Sequence, residues 1–364
     1  MALITILRAP DGNGVFVFPS VSGIIPDMNF RRTVPVVIAC VLAIACGITR
    51  VRASQNTNLI TLHIAAFDSH NQPIADLKSE EFQITDEGKA QPIVAFRRNG
   101  DAPQLASGRD NKKTPGTNAP LIVILFDLLN ANMANRNLAQ EEIVQVLEHL
   151  ESSDSVFLYI LTNGGTFYPI HPMPDGMVET PRSTAPWTQQ IRPLMKDAVE
   201  KVYGLRPIDE QQIGVRIETT YRALDSLTSK MKLNLGWKNL IWITHGIPQD
   251  FRSANGELVD DSTRLNRFAT DLDHHDIAVS AVMRGSDPTS QDTRVIHALA
   301  DLTGGTVYDA NLEKVISEIQ GAARSGYVIQ YAAPSMDGKY HKVRVSSSRK
   351  GIRIQTKQGY YAVK

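Results

Sequence analysis

The sequence is short of three things. It has two cysteines among its 364 residues, Cys40 and Cys46, and both lie in one apolar segment. A chain cleaved after that segment would hold no thiol, which excludes disulfides from its fold. It has no excess of charge: 38 lysines and arginines balance 38 aspartates and glutamates. That balance argues against a nucleic-acid partner, which would call for a basic surface. It also lacks G-x-S-x-G, P-loop and H-E-x-x-H spacings, so no ready-made catalytic signature is present.

What is there begins with an address. Arg31 and Arg32 precede VPVVIACVLAIACGIT, Val34 to Thr49, which is short for a transmembrane helix and long enough for the apolar part of an export signal. VRAS follows, with Val51 and Ala53 approximating a cleavage site, and Met28 offers a better start than Met1. Residues 1–53 therefore read as an export signal, and the working compartment as extracytoplasmic: secreted, periplasmic or surface-tethered. LAIAC would make Cys46 a lipidated N-terminus, although Ala43 stands where lipoprotein signals usually carry leucine. Membrane attachment is expected only through that signal or that lipid.

Residues 54–98 alternate apolar and polar side chains at Ile60, Leu62 and Ile64, then give two more short strands about the turn at Asp86 to Gly88. Residues 99–120 are rich in Gly, Pro and Asn and read as a linker. From Leu121 to residue 324 the pattern changes to apolar runs separated by helices: LIVILFD, SVFLYILT, NLIWITHG and DIAVSAV, with helices expected near 135–151, 189–203, 218–232, 262–274 and 312–323. Strands apolar on both faces imply a mostly parallel sheet covered on both sides. In residues 325–364 the period returns to two. Neither terminal group of strands makes a stable layer alone, so they are expected to pair into one β-sandwich with the α/β domain inserted between them.

LIVILFDLLNAN, WKNLIWITHGIP, LADLTGG and the closing DGKYHKVRV with KQGYYA resemble the von Willebrand factor type A-related domain proteins found in acidobacteria. The resemblance covers Asn58 to Lys364 and implies a doubly wound, Rossmann-like α/β fold with a metal-ion-dependent adhesion site at the C-terminal edge of the sheet. In that superfamily the site uses a D-x-S-x-S loop, a threonine and the aspartate of a T-D-G turn, all oxygen ligands suited to Mg²⁺. Laid on this sequence, the first aspartate is Asp127, but Leu129 and Ala131 occupy the serine positions. His245 stands where the T-D-G aspartate would be, and imidazole suits zinc, copper or nickel better than magnesium. The threonine is Thr219 or Thr220, with Glu218 favoured by spacing.

The site therefore reads as degenerate. Asn130 and Asn132 could supply amide oxygens to a divalent cation beside Asp127 and Thr219; the plainer alternative has Asp127 capping the next helix and no cofactor at all. A second cluster, DLDHHDIA from Asp271 to Ala278, gathers acids and histidines, but it lies before a strand, away from the ligand edge, and its histidines suit a helix C-terminus. The functional expectation is an exported protein-binding protein of adhesion or scaffold type, not an enzyme, acting through loops that carry Asp127, Asn130, Asn132, Thr219, Thr220 and His245. The alternatives are a metal-independent structural envelope component, or a hydrolase using His245 or His171 with a nearby acid such as Asp250.

Overall fold

A computed structural model describes residues 5–8, 15–18, 58–99, 121–130, 133–150, 155–173, 187–203, 212–234, 236–252, 256–283, 291–309 and 311–363. Of residues 1–53, read as the export signal, 5–8 and 15–18 are described; its apolar segment Val34 to Thr49 with Cys46, residues 100–120 of the linker and Asn132 lie outside the described residues. Two compact units are present, residues 1–56 and 57–364. Within the first, β1 (Thr5–Arg8) and β2 (Val15–Phe18) pair as an antiparallel hairpin. No described helix is long and apolar enough to cross a membrane.

The second unit is mixed α/β. Its main sheet contains β7 (Leu121–Asp127), β8 (Val156–Leu161), β9 (Phe167–His171), β10 (Lys238–Ile243), β13 (Ile277–Val282) and β14 (Val307–Tyr308), in the order β14-β13-β10-β7-β8-β9. All neighbours are parallel except β8 and β9. Burial on both faces explains the unbroken apolar runs: every residue of β8, β10 and β13 is buried. Helices α3 (Ile213–Met231), α4 (Ser262–His274) and α5 (Gln291–Thr303) supply one layer, packing against Val123, Leu125, Leu240 and Trp242. Helices α1 (Met133–Glu148), α2 (Ile191–Tyr203) and α6 (Leu312–Ser325) cover the other, against Ile122, Ile124, Ile241 and Ile243.

Strands from both ends of this unit form two further antiparallel sheets. β3 (Leu59–Phe67) lies between β15 (Tyr327–Ala332) and β17 (Arg353–Gln355), with β6 (Ala95–Arg98) on the outer side of β15. β4 (Phe82–Asp86) lies between β5 (Lys89–Gln91) and β16 (Tyr340–Ser347), which also pairs with β18 (Gly359–Tyr361). The period-two alternation points Leu62, Ile64, Ile84, Tyr327, Ile329 and Val343 into one shared core. On its other face β3 presents Ala65 and Phe67 to Ala322 of α6 and to Trp237.

Two buried aspartates stand out because an ionised carboxylate away from water needs donors. Asp86 closes β4 inside the sandwich and Asp127 closes β7 in the main sheet.

Candidate functional site at the C-terminal edge of the parallel sheet

The strand order reverses between β7 and β10, since the chain leaves β7 toward β8 on one side and later returns to β10 on the other. Loops that diverge from such a point leave a crevice above the strand ends, where doubly wound sheets bind ligands. Asp127 stands there. Alternation along β7 puts it on the same face as Val123 and Leu125, at the top of an apolar column.

Its carboxylate is occupied by protein donors. Oδ1 accepts from the backbone N–H of Asn130 at 3.0 Å. Oδ2 accepts from Asn130 Nδ2 at 2.8 Å, Trp242 Nε1 at 3.0 Å and Thr244 Oγ1 at 2.9 Å. Burial pushes the carboxyl up from its ordinary range, against these bonds from Asn130, Thr244 and Trp242 that favour the charged form. All four contacts are donors, so the acceptor required of Asp127 is the carboxylate.

The rest of the crevice is organised around those donors. Asn130 Nδ2 also donates to Thr220 Oγ1 at 3.0 Å, and Thr220 donates to Arg216 O at 2.8 Å, which ties the β7 loop to the first turns of α3. Thr244 Oγ1 accepts from Gly246 N at 3.1 Å, and Gly246 at φ +92° makes the turn with a backbone that L side chains rarely adopt. His245 is half-buried, and burial lowers its pKa against the raising influence of Asp127, which favours neutral imidazole.

Of the residues singled out in the sequence, the structure brings together Asp127, Asn130 and Thr220. Thr219, the threonine assigned to a cation, is half-buried one position off this contact, and Asn132 lies outside the described residues. Glu218, which spacing favoured, is exposed and ion-paired with Arg264 and Arg222. Asp250 opens β11 (Asp250–Arg252), which pairs with β12 (Leu258–Asp260), and its carboxylate faces Arg294 at 3.6 Å. His171 is stacked between Phe157 and Trp187, with ring centroids 5.4 and 4.3 Å away.

Trp242 is the participant that sequence reasoning missed. In NLIWITHG it reads as one more buried residue, and only the parallel register of β7 with β10 shows that its indole N–H can reach Asp127. Among the described residues, no group of three His, Cys, Asp or Glu side chains is placed to hold a metal ion. The side-chain oxygens at hand are those of Asp127, Asn130, Thr220 and Thr244. An octahedral cation would have to displace the indole and amide donors from Asp127 to use it.

No family model matches the sequence, and no curated protein matches it. Similar solved structures include the human COPII-coat protein Sec24c, at 11% identity over 67% of this chain and 44% of that one, with a TM-score of 0.30. Proximal thread matrix protein 1 from the mussel byssus, with a zinc-occupied MIDAS motif, is 14% identical over 64% of this chain and 49% of that one, at 0.33. A mutant of the PilB minor pilin from Streptococcus sanguinis is 10% identical over 72% of this chain and 88% of that one, at 0.34. The chain thus spans less than half of the first two proteins it matches. Likeness at this level carries no information about activity.

Proposed function

We propose that this chain is an exported, envelope-associated or secreted protein of adhesion or scaffold type. Its doubly wound domain, of the type A kind, grips a protein partner through the loops at the C-terminal edge of the sheet, by surface contact without a bound cation. The observation that carries the reading is the surface of that edge. Ile213 and Val215 are exposed at the start of α3, and Leu258 is 69% exposed on the neighbouring β11–β12 hairpin. Gly214 seats α3 against that hairpin: a Cβ there would meet the Phe251 ring at 2.9 Å. Apolar groups grouped beside a ligand crevice are what a protein partner would cover.

Binding is favoured over hydrolysis because the groups a hydrolase would need are engaged elsewhere. Asp250 faces Arg294, and His171 is stacked between Phe157 and Trp187. Affinity capture of envelope proteins by the mature chain tests the proposal, run with magnesium, with zinc and with a chelator. One partner should be retained equally in all three and lost with Val215→Asp and Leu258→Asp. Capture that needs a cation, or that ignores both substitutions, overturns it.

A further inference from the structure

The acid and histidine cluster in DLDHHDIA gains its meaning from the strands that close the chain. Lys357, on the link between β17 and β18, is buried, and its Nζ stands 2.7 Å from both carboxylate oxygens of Asp273, in the last turn of α4. The link is held on either side of the lysine. Gln358 bonds Asp301 through its backbone N–H at 2.9 Å and its side-chain amide at 2.8 Å, and Gln355 Nε2 donates to Thr306 Oγ1 at 2.6 Å. The turn at Gly304 comes so close that a Cβ there would meet Lys357 N at 3.1 Å.

A third carboxylate completes the cluster. Asp276, at φ +54°, shares a small cleft with His63, Trp237, Asp273 and Lys357, and its Oδ1 is 2.8 Å from His63 Nε2. Burial pushes its pKa up, but the hydrogen bond and charge of His63, helped by Lys238 and Lys357, bring it below the usual range. It therefore remains ionised beside the amine. Two aromatic rings border the amine: Trp237 lines the cleft, and the Tyr360 ring centre is 6.0 Å from Lys357 Nζ.

An ion pair taken out of water recovers little net stability, because desolvation offsets the attraction. What this pair has is contact: one amine held 2.7 Å from both oxygens of one carboxyl group, which makes amide formation a step within one folded molecule. We propose that Lys357 and Asp273 are joined by an intramolecular isopeptide bond formed when the chain folds. The Lys357 ammonium hands a proton directly to the Asp273 carboxylate it touches, which gives a neutral amine and a neutral acid. Nζ then attacks Cγ of Asp273, the Nζ–Cγ bond forms, and one Cγ–O bond breaks. The departing oxygen takes up the protons and leaves as water. Ammonium and carboxylate together lose one water and nothing else, so neither oxidant nor cofactor enters. In a mature chain expected to carry no cysteine, the amide would supply the covalent tie that a disulfide supplies elsewhere, between the closing strands and α4.

Mass spectrometry of the purified, denatured full chain tests this. The intact mass should be one water below that required by the sequence and its observed N-terminus. Protease digestion should release a branched peptide joining the Asp273 segment to the Lys357 segment. Lys357→Arg, which keeps a cation opposite Asp273 but cannot form the lysine amide, should restore the full mass and abolish the branch. A wild-type chain at full mass with separate linear peptides overturns the proposal, and so does a missing water that maps elsewhere.

Discussion

Asp127 and Asp86 are both fully shielded from solvent, yet they are held in opposite ways. Asp127 receives an amide, a backbone N–H, an indole and a hydroxyl, none of which carries a charge of its own. Asp86 accepts from the Tyr331 and Tyr360 hydroxyls at 2.9 Å each and faces His341 Nδ1 at 3.0 Å. His341 in turn places Nε2 3.2 Å from Asp337 Oδ1. The first arrangement sets burial, which raises the carboxyl pKa, against neutral donors, whereas the second contains a partner that gains and loses a proton. One seals a crevice at the ligand edge; the other fastens a strand from the front of the unit, β4, to three from its end.

Removing either carboxylate should break its region, the sandwich more severely. Asp86→Ala strands an imidazole and two phenols in a core and should cost about 3–5 kcal/mol, the scale for breaking a buried pair. Asp127→Ala leaves four donors unpaired but allows Thr244 to turn, and should cost about 3 kcal/mol. Urea unfolding of both variants checks the order, and a larger loss for Asp127→Ala would reverse the comparison. Trp242→Phe deletes a single donor to the carboxylate and should cost about 2 kcal/mol. Equal stability in that variant would mean that the indole bond contributes nothing.

The pH response sharpens the contrast. Burial lowers the His341 pKa, but hydrogen bonds to Asp86 and Asp337 outweigh it and the net shift is upward from 6.5. The folded state then binds this proton more tightly than the unfolded state. Its contribution is complete below about pH 6.5 and is lost as pH rises through the folded value. His245 and His171 are shifted downward by burial, so their contribution is present above about 6.5 and is lost as pH falls. In thermal melts across pH, His341→Gln should flatten the alkaline side and His245→Gln the acid side. The reverse assignment would refute this account. The smallest effect expected is that of cations: added Mg²⁺ or Zn²⁺ should leave the melting temperature unchanged. A rise lost in Asp127→Asn would reopen the crevice as a metal site.

How legible this was varied with the physics of each element. LIVILFD and DIAVSAV announced themselves because burial on both faces leaves an unbroken apolar run. β9 was hidden by Pro169, which an edge strand tolerates because no ladder bond is lost on its outer side. The start of α3 at Ile213 was missed by five residues, since Gln212 makes no side-chain cap there. The threonine beside Asp127 was ambiguous on paper. Helical rotation settles it: Thr220, Leu224 and Leu227 lie on the inward face, while Thr219 does not. Asp127 could be found from one strand, but two of its partners, Trp242 and Thr244, lie more than a hundred residues away, and no spacing in the sequence encodes that meeting.

The placement of β3 also constrains how the molecule assembles. Its two strand neighbours, Tyr327–Ala332 and Arg353–Gln355, come from the opposite end of the chain. During synthesis β3 and β6 must therefore wait for their partners while the whole parallel sheet is made, although β4 can pair with β5 at once, and closing so long a loop is slow. The sandwich cannot close until β15 to β18 have been made, after every strand of the six-stranded sheet. A chain that stopped at residue 351 would leave β3 and β16 each with one open edge, a ready template for self-association.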